Sequence, residues 1–417
     1  MSFLRSLFSG VSGLRNHQVM MDVIGNNIAN INTVGFKASR VTFGEMFAQT
    51  LRGGMQPSAL TGGTNPIQVG LGMSVNSVDT LFSQGNAETT GQVTDMAIQG
   101  TGFFVVKQGG KNVYTRVGNF FQDAAGQLSN PGTGAVLQGK NADAQGNIPS
   151  GTVLQDIKIA ADMKSPAKAT TDVKITGNLD EAAAIGTVVD SSVPVYDSAG
   201  DQHTVKVQYT KTGPNAWSWA ASAPAPATTA SAGTVTFNTD GTLNAVTGNP
   251  IALNVGTGVN AISFTLDLGT PTAAAPGVFT GLTQIKGSST VTPSGQDGYG
   301  AGTMNSMSID SSGLITGSFS NGTLLTLGQV MLAEFSNPAG LVKSGENTWD
   351  VSGNSGMPVI VNPGDRSTIL SGALEQSNVD LADEFTKMIT AQRGFEANAR
   401  VITTSDQFLQ ALVNLGR

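Results

Sequence analysis

The sequence predicts a mainly β protein with an α-helix at each terminus and with one β domain inserted into another. Three observations carry this prediction. Apolar residues recur at alternating spacings of three and four at both ends of the chain, which is typical of helices. Between the ends, short alternating runs are separated by Gly-rich turns, which is typical of antiparallel strands. Charged residues make up only 12% of 417 residues and glycine contributes 53, which indicates many turns and a weakly charged surface.

Composition excludes several kinds of functional site. The chain has no cysteine, so a disulfide scaffold, a thiol nucleophile and a cysteine-ligated zinc site are excluded. With only His17 and His203, one chain cannot build a multi-histidine metal centre. The net charge of −7 without basic blocks argues against nucleic acid or an anionic membrane as partner. No apolar run is long enough to span a bilayer, and the N-terminus lacks the continuous apolar run of a cleaved signal peptide.

The N-terminal helix is predicted from a run of apolar residues that ends in an Asn-rich segment. The run breaks at Asn26, Asn27 and Asn30, with Gly35 beyond, which is typical of a helix end. The run consists of Leu4, Leu7, Val11, Leu14, Gln18, Met21, Gly25 and Ile28, and it is widened by Ile24 and Ile31.

The C-terminal helix is predicted from a seven-residue repeat that continues for more than four heptads. Ser377, Asn378 and Asp380 precede it as capping residues, and Asp383 and Glu384 follow in its first turns. The repeat consists of Leu381, Phe385, Met388, Gln392, Phe395, Ala399, Ile402, Asp406, Leu409 and Val413.

Narrow apolar stripes at both ends predict a helix pair that brings the termini together. The pattern leaves two interpretations open: an ordinary helix–helix contact on a globular body, or an interface made for copies of the same chain. A free helix with a narrow apolar face is only marginally stable, so such ends would become ordered on assembly. The predicted assembly interface consists of Leu4, Leu7, Val11, Leu14, Met21, Ile24, Ile28, Leu381, Phe385, Met388, Phe395, Ala399, Ile402, Leu409 and Val413.

The rest of the chain predicts a nested arrangement of domains. We expect a terminal helical domain of residues 1–33 and 370–417, and a connector of residues 34–70 whose stretch 52–70 is too rich in Gly and Pro for a regular element. A discontinuous β core domain is expected at 71–145 and 288–369. An outer β domain of residues 146–287 is expected to be inserted in it.

A search for catalytic chemistry finds nothing usable. Gly100 and Gly102 lack the further residues of a phosphate loop, so a close backbone approach is the favoured interpretation. Adjacent carboxylates such as Asp383 and Glu384 are interpreted as solvated charges. The three tryptophans could form a sugar platform but are more often core residues of sheets. We therefore predict no enzyme, no cofactor and no metal site.

Three long segments resemble the bacterial flagellar rod and hook family. GNNIANINTVGFK at residues 25–37 and the stretch from SGALEQSNVDL to the C-terminus at 371–417 are similar to the two terminal signatures of that family. DMAIQGTGFFVV and YTRVGNFFQDAAGQL, within residues 95–128, resemble the core domain shared by hook and rod proteins. VYDSAGDQHTVKVQYTKTG at 195–213 resembles the outer domain of hook proteins, so the resemblance covers essentially the whole chain.

The resemblance implies a structural subunit that assembles through its terminal helices into a curved, bendable tube, with a coiled-coil-like core, which transmits torque in the flagellar hook. It implies export through the flagellar type III apparatus without a cleaved leader and an extracellular location. It also implies the rod, the hook cap and the hook–filament junction proteins as partners besides the chain itself. The alternatives are a distal rod subunit and, more remotely, a glycan-binding or glycan-hydrolysing surface protein.

Overall fold

The computed structural model describes residues 2–57, 62–160, 162–222, 231–248, 251–254, 261–271, 281–364 and 366–415. In this part of the chain the fold is mostly β-strand, with one long helix at each end. The predicted fold class is therefore confirmed, whereas the role of the helices as the core of a filament and the domain boundaries given above stay predictions.

The helices are α1 (Ser2–Ala29) and α2 (Leu381–Leu415). The strands of the first third are β1 (Ser39–Glu45), β2 (Ala48–Arg52), β3 (Ile67–Gly70), β4 (Met73–Thr80), β5 (Ala87–Thr89), β6 (Met96–Gly100), β7 (Phe103–Gln108), β8 (Lys111–Thr115), β9 (Phe121–Gln122), β10 (Leu128–Ser129), β11 (Val136–Asn141) and β12 (Gln155–Asp156). The middle strands are β13 (Lys164–Ser165), β14 (Asp172–Asn178), β15 (Val188–Tyr196), β16 (Gln202–Gly213), β17 (Ala216–Ser222), β18 (Ser231–Phe237), β19 (Leu243–Val246), β20 (Ile251–Asn254), β21 (Ala261–Asp267), β22 (Leu282–Thr283) and β23 (Thr292–Gln296). The last strands are β24 (Gly302–Ile309), β25 (Leu314–Phe319), β26 (Leu324–Val330), β27 (Leu332–Glu334), β28 (Val342–Gly345), β29 (Thr348–Asp350), β30 (Val359–Val361), β31 (Ser367–Ser371) and β32 (Ala373–Glu375).

The chain forms two compact units. Unit 1 comprises residues 1–160, 308–316 and 326–417, and unit 2 comprises residues 161–307 and 317–325. The chain passes between the units after residue 160 and again within strands β24, β25 and β26.

Unit 1 contains both helices and a sheet in which β11, β7, β8, β29 and β28 are successive neighbours. The sheet has an aromatic core in which Phe103 is completely buried. Its ring meets Phe335 at a centroid distance of 5.6 Å and Trp349 at 5.8 Å, both edge to face. Edge-to-face pairs add to the area-based stabilisation of a core, so this cluster stabilises the core of unit 1 beyond its buried area.

Unit 2 contains two sheets that share one core. One sheet has the order β15, β16, β17, β18, β19, and the other has the order β20, β21, β14, β22. Alternating residues of β16 and β17 are buried, including Tyr209, Trp217 and Trp219. Strands β15 and β16 form a hairpin, with Val193 paired to Val205. Together with the burial of Trp349 in unit 1, this assigns all three tryptophans to sheet cores and leaves no exposed sugar platform among them.

Four hairpin turns are built by the same Asp-x-x-Gly sequence. In each turn one carboxylate oxygen accepts hydrogen bonds from the backbone N–H groups two and four residues later. The glycine has a φ between 72° and 92°, a region that a side chain disfavours. The turns begin at Asp123, Asp143, Asp197 and Asp310. Several of the few acidic residues thus fix hairpins instead of forming a charged surface.

The predicted close backbone approach is confirmed for Gly100, whereas Gly102 meets the side chains of Ser367 and Leu332. Gly100 has a φ of 121°, and a Cβ there would lie 2.4 Å from the carbonyl oxygen of Arg366. The Gly102 N–H donates a 2.9 Å hydrogen bond to Ser367 Oγ. Both glycines therefore serve the pairing of β6 with β31.

The connector is more regular than its composition predicts. Strands β1 and β4 form one antiparallel ribbon, and β2 and β3 form a second one. The prediction of irregular structure throughout 52–70 is wrong for β3, because Ile67 and Val69 alternate with polar or small residues and can pair with β2. We call the pair β2–β3 the exposed ribbon, since every residue of both strands is exposed.

We predict that unit 2 loses stability in acid through Asp297. Its carboxylate accepts hydrogen bonds from the Thr171 and Asp172 backbones and pairs with Lys168 at 3.0 Å. Partial burial acts to raise the pKa of Asp297, but these hydrogen bonds and the ion pair outweigh it and hold the pKa well below its usual range. A depressed carboxylate pKa contributes stability that is present above the unfolded pKa of about 4 and is lost as the pH falls below it.

The measurement is the free energy of unfolding of the wild type and of Asp297→Asn across pH 2 to 6, a range of about four pH units. The free energy of unfolding of the wild type should exceed that of the variant by the full amount near the upper pH limit. This difference should decrease as the pH falls toward the lower limit. A difference that stays constant with pH would contradict this assignment.

Candidate assembly interface

The two terminal helices pack against each other in antiparallel orientation. Near the start of α1, Ser6 Oγ lies 3.4 Å from Ser405 Oγ, close to the end of α2. Near the end of α1, Asn27 Nδ2 donates a 3.1 Å hydrogen bond to Glu384 Oε2 at the start of α2. The last turns of α2 therefore extend beyond the first turn of α1.

Glycines allow a close approach of the two helices. A Cβ at Gly13 would lie 2.6 Å from the Asn398 side chain, and one at Gly394 would lie 2.6 Å from the His17 ring. The sequence pattern indicates a surface position for His17 opposite the apolar stripe. This prediction is wrong, because the imidazole occupies the space left by Gly394 and also meets the Phe43 ring edge-on at 6.1 Å.

The buried row of α2 consists of residues that are small or polar and lies beside the predicted stripe. Glu384, Ala391 and Ser405 are buried, and Asn398 occupies the same heptad position against Gly13. The interpretation of Glu384 as a solvated charge is therefore wrong, because its carboxylate accepts a hydrogen bond from Asn27 between the helices. Each residue of this row comes one position before a residue of the predicted repeat, namely Phe385, Gln392, Ala399 or Asp406. That half of the predicted repeat therefore turns away from α1. The displacement follows from packing, since small side chains permit the shortest distance between helix backbones.

The predicted interface residues consequently divide into two groups. Ile24 is buried, and Leu7, Leu14, Met21, Ile28, Met388, Phe395, Ala399 and Ile402 are half-buried. Five are exposed in the single chain: Val11, Leu381, Phe385, Leu409 and Val413. The side chain of Leu4 lies outside the described residues. Leu7, Ile402 and Leu409 line one groove of about 520 Å³, so the structure brings these three together.

Apolar side chains remain exposed on both sides of the buried row. At 100° per residue, Phe385 and Ile389 lie on one side of the row and Val401 lies on the other. Ile389 is 51% exposed and Val401 is 43% exposed. The helix pair thus buries a polar row internally and presents apolar strips outward.

A second apolar surface joins α1 to the connector. Phe8 and Val11 of α1 line a groove of about 520 Å³ together with Met46, Leu71 and Val75. The exposed ribbon continues from this groove, and Phe47, which precedes β2, is 83% exposed. Leu51, Ile67 and Val69 on the exposed ribbon and Phe47 beside it are exposed apolar side chains. Strands β2 and β3 pair with no other strand among the described residues. An isolated two-stranded ribbon is marginally stable in water.

Three buried charged residues, which we call the charge node, lie where both helices meet the strands. Glu375 Oε1 lies 2.6 Å from Lys37 Nζ, and Glu375 Oε2 lies 3.4 Å from Arg116 Nη1. All three side chains are at most 1% exposed. Burial lowers the pKa of Lys37, against the opposing effect of Glu375, and burial also lowers the pKa of Arg116. The node holds two cations for one carboxylate.

Two asparagines complete the joint around the charge node. Asn378 Oδ1 accepts a 2.8 Å hydrogen bond from the Ala38 N–H, and its Nδ2 donates to the Leu81 carbonyl at 2.8 Å. Asn27 Oδ1 accepts a 2.9 Å hydrogen bond from the Ser39 N–H. The segment after α1, the segment before β5 and the segment before α2 are thus tied together.

The comparisons with known proteins identify the family. The flagella basal body rod protein family matches residues 7–37, and the flagellar hook protein FlgE/F/G D1 domain matches residues 97–177. The flagellar basal body protein FlaE D2 domain matches 166–299, and the flagellar basal body rod FlgEFG protein C-terminal family matches 370–415. Flagellar hook protein FlgE of Borreliella burgdorferi is 41% identical over 448 residues, which cover 99% of either chain. This chain belongs to the flagellar hook protein FlgE family.

Other members and neighbours agree with this assignment. Flagellar hook protein FlgE of Escherichia coli is 34% identical over 429 residues, covering 97% of this chain and 98% of its own. Flagellar basal-body rod protein FlgG of Bacillus subtilis is 33% identical over 417 residues, covering 99% of this chain and all of its own. The crystal structure of the Helicobacter pylori flagellar hook protein FlgE2 is similar in fold, with a TM-score of 0.53 and 15% identity, over 69% of this chain and all of that chain.

Among the described residues, no group of three or more His, Asp or Glu side chains is arranged to hold a metal ion. In the same part of the chain, neither helix has the length and apolarity needed to cross a membrane.

Sequence reasoning missed the charge node, the exposed ribbon and several exposed apolar residues of the helices. Lys37 and Glu375 could have been singled out as lone charges inside apolar stretches of a chain that has few charges. Phe8, Ile389 and Val401 lie next to the predicted stripe but do not fit spacings of exactly three and four residues. A search for a narrow heptad stripe therefore does not identify them.

We predict that Gly394→Ala and Gly25→Ala have opposite effects on stability. Alanine favours a helix interior over glycine by about 1 kcal/mol. At Gly25 no atom lies within 4 Å of the new Cβ. The full difference in helix propensity should therefore appear as a higher free energy of unfolding. At Gly394 the Cβ would collide with the His17 ring, and overpacking costs about 1–3 kcal/mol. Thermal unfolding followed by circular dichroism compares the two, and equal stabilisation by both would contradict the described helix packing.

Proposed function

We propose that this chain is a structural subunit of the bacterial flagellar hook, which polymerises through α1, α2 and the exposed ribbon into an open, curved tube. The observation that carries the proposal is the exposure of apolar strips on both sides of the helix pair. Contiguous exposed apolar surface of this kind usually marks an interaction site. The proposed occupant is a second copy of the chain.

The two-sided arrangement favours a polymer over a closed dimer. Ile389 and Val401 lie on opposite sides of the α2 row, and Phe8 and Phe47 lie on the α1 and ribbon surface. A subunit that presents different apolar surfaces on different sides makes heterologous contacts with its neighbours. When successive heterologous contacts do not close into a ring, they generate a helical filament. Each helix pair would then lie between neighbouring copies.

The surface chemistry suits a tube that bends and transmits torque. Exposed ion pairs such as Lys206–Asp190, with both side chains about half exposed, contribute little and are screened by salt. Because only 12% of the residues are charged, the outer surfaces can form few charge-assisted hydrogen bonds of fixed geometry. Few such contacts would therefore resist the sliding of neighbouring subunits past each other. The proposal assigns no catalytic residue, cofactor or metal to the chain.

The proposed location is the extracellular hook, reached through the flagellar type III export apparatus without a cleaved leader. The proposed partners besides copies of the chain are the flagellar rod, the hook cap and the hook–filament junction proteins. These finer assignments rest on membership of the family.

A distal rod subunit is the second candidate, because the rod protein FlgG of Bacillus subtilis also aligns along the full chain. The hook is favoured because relatives named as hook protein reach 41% identity and because residues 166–299 match the D2 domain family. Immunogold labelling of intact cells separates the two: label on an external curved segment supports the hook, and label confined beneath the outer membrane supports the rod.

We predict that Ile389→Ser impairs polymerisation while the monomer stays folded. Serine and isoleucine have similar helix propensities, so α2 should be retained. Loss of a buried isoleucine contact removes about 1.5–3 kcal/mol per interface, which should raise the critical concentration by at least roughly tenfold. Sedimentation and electron microscopy of the polymer give the readout. The matched control is Ile185→Ser, because the Ile185 side chain in unit 2 is 69% exposed. This variant should polymerise like the wild type.

Deletion of residues 1–30 or 380–417 should abolish polymerisation and leave a soluble, folded monomer. The aromatic core of unit 1 and the shared core of unit 2 contain no residue of either helix. Both deletions retain Lys37, Arg116 and Glu375. Circular dichroism and sedimentation test the prediction, and loss of the entire fold on deletion would count against an assembly role for the helices.

A further inference from the structure

We propose that a small cavity of unit 1, beside the hairpin of β28 and β29, is a binding site for a carboxylate. This cavity, which we call the hairpin cavity, has a volume of about 200 Å³, and its lining includes Phe36, Lys343, Glu346 and Trp349. The carboxylate would come from a free small molecule or from an acidic side chain of a neighbouring copy. Only the second source rests on the proposed function.

Lys343 brings a positive charge without a carboxylate partner to the mouth of the hairpin cavity. The residue is exposed, and among the described residues it forms no ion pair. Its Nζ donates a 3.2 Å hydrogen bond to Ser39 Oγ and lies 5.3 Å from the centroid of the Phe36 ring. An ammonium has three donors, so two remain available to a ligand. Loss of water around the ammonium lowers the pKa of Lys343, and no carboxylate opposes this effect.

The indole N–H of Trp349 is a second donor that is available to a ligand. Trp349 is 2% exposed, and its Nε1 has no hydrogen-bond partner among the described residues. Lys343 and Trp349 are directly opposite each other in the β28–β29 ladder, and both line the hairpin cavity. Opposite residues of an antiparallel pair project from the same face, with Cβ atoms about 4.5–5.5 Å apart. One small ligand can therefore accept hydrogen bonds from both donors.

The turn of the hairpin holds the two donors in place before a ligand binds. Glu346 has a φ of 50° and Asn347 has a φ of 56°, which is a region that residues other than glycine rarely adopt. Thr115 Oγ1 donates a 2.9 Å hydrogen bond to the Asn347 carbonyl and ties the turn to the end of β8. A site that is already ordered loses less entropy when its ligand binds.

The size and charge of the hairpin cavity favour a small monoanion. The Glu346 carboxylate also lines the cavity, and its Oε2 accepts a 3.2 Å hydrogen bond from Gln108 Nε2. Lys37 lines the cavity as well, but its ammonium is already paired with Glu375. One available ammonium beside one carboxylate favours a ligand with a single negative charge over a phosphate. The two aromatic rings of the lining provide apolar contacts for the carbon atoms of a carboxylate.

The experiment is a titration of the full-chain monomer with sodium acetate, followed by the ¹H–¹⁵N signal of the Trp349 indole. Sodium chloride keeps the ionic strength constant, and acetamide is the uncharged probe. Acetate should shift the signal saturably, with a dissociation constant of roughly 1–10 mM. Lys343→Met should weaken binding by roughly tenfold or more, because a hydrogen bond from a charged group is lost. The matched control Lys111→Met removes an exposed lysine of β8 and should bind acetate like the wild type.

The indole signal of Trp349 is assigned from its absence in Trp349→Phe. If this variant does not fold, the signal is assigned from its contacts with the Phe82 and Phe103 rings, whose centroids lie 5.6 and 5.8 Å from that of Trp349. A shift that does not saturate, that is the same in Lys343→Met, or that acetamide reproduces would overturn the proposal.

Polymerisation of Lys343→Met distinguishes the two sources of the carboxylate. A critical concentration above those of the wild type and Lys111→Met supports an acidic side chain of a neighbouring copy. A critical concentration equal to theirs supports a free small carboxylate. Acetate binding is measured on the monomer, and the hook assignment is tested by whether the wild type forms curved tubes, so either proposal can fail without the other.

Discussion

The architecture of unit 1 depends on one buried carboxylate. Glu375 receives Lys37 from the segment after α1 and Arg116 from the residue after β8, so segments from three parts of the chain meet at a single side chain. Removing Glu375 would leave two uncompensated buried cations, which is far more costly than the loss of an exposed ion pair. The hydrogen bonds of Asn27 and Asn378 are arranged around this point, and the positions of the helices follow from it.

The helix pair reverses the usual distribution of polar and apolar residues. Its buried row is made of Glu384, Ala391, Asn398 and Ser405, while Phe385 and Ile389 face outward. Residues that are small or polar bury little apolar area within the subunit, so they leave most of the hydrophobic stabilisation to be gained from neighbours. A helix pair of this composition holds its register in the single chain and still retains its driving force for polymerisation.

The sequence allowed the fold class, both helices and the presence of Gly-rich turns between strands to be predicted, because each follows from local spacing and local backbone preference. The row that faces α1 could not be predicted in the same way. A heptad template identifies a stripe such as Phe385 and Met388, but the choice of contacting face was decided by Gly13 and Gly394 together with Asn398 and His17, which are distant in sequence. The ribbon β2–β3 was hidden by its Gly- and Pro-rich tip, and the charge node joins residues more than 250 positions apart.

The segments that identify the family contain both residues of the joint within unit 1 and residues of the surfaces that the assembly would use. In GNNIANINTVGFK, Asn27 and Lys37 point into the joint of unit 1, and in the segment around ALEQSNVDL, Glu375 and Asn378 do the same. Residues fixed by buried hydrogen bonds tolerate little change, since any substitution leaves a partner unsatisfied. Apolar residues on an outward strip need only remain apolar, which leaves their identity free to vary. The buried joint within unit 1 therefore explains the Asn, Lys and Glu residues of these segments, and the proposed contacts between copies explain the apolar residues that face outward.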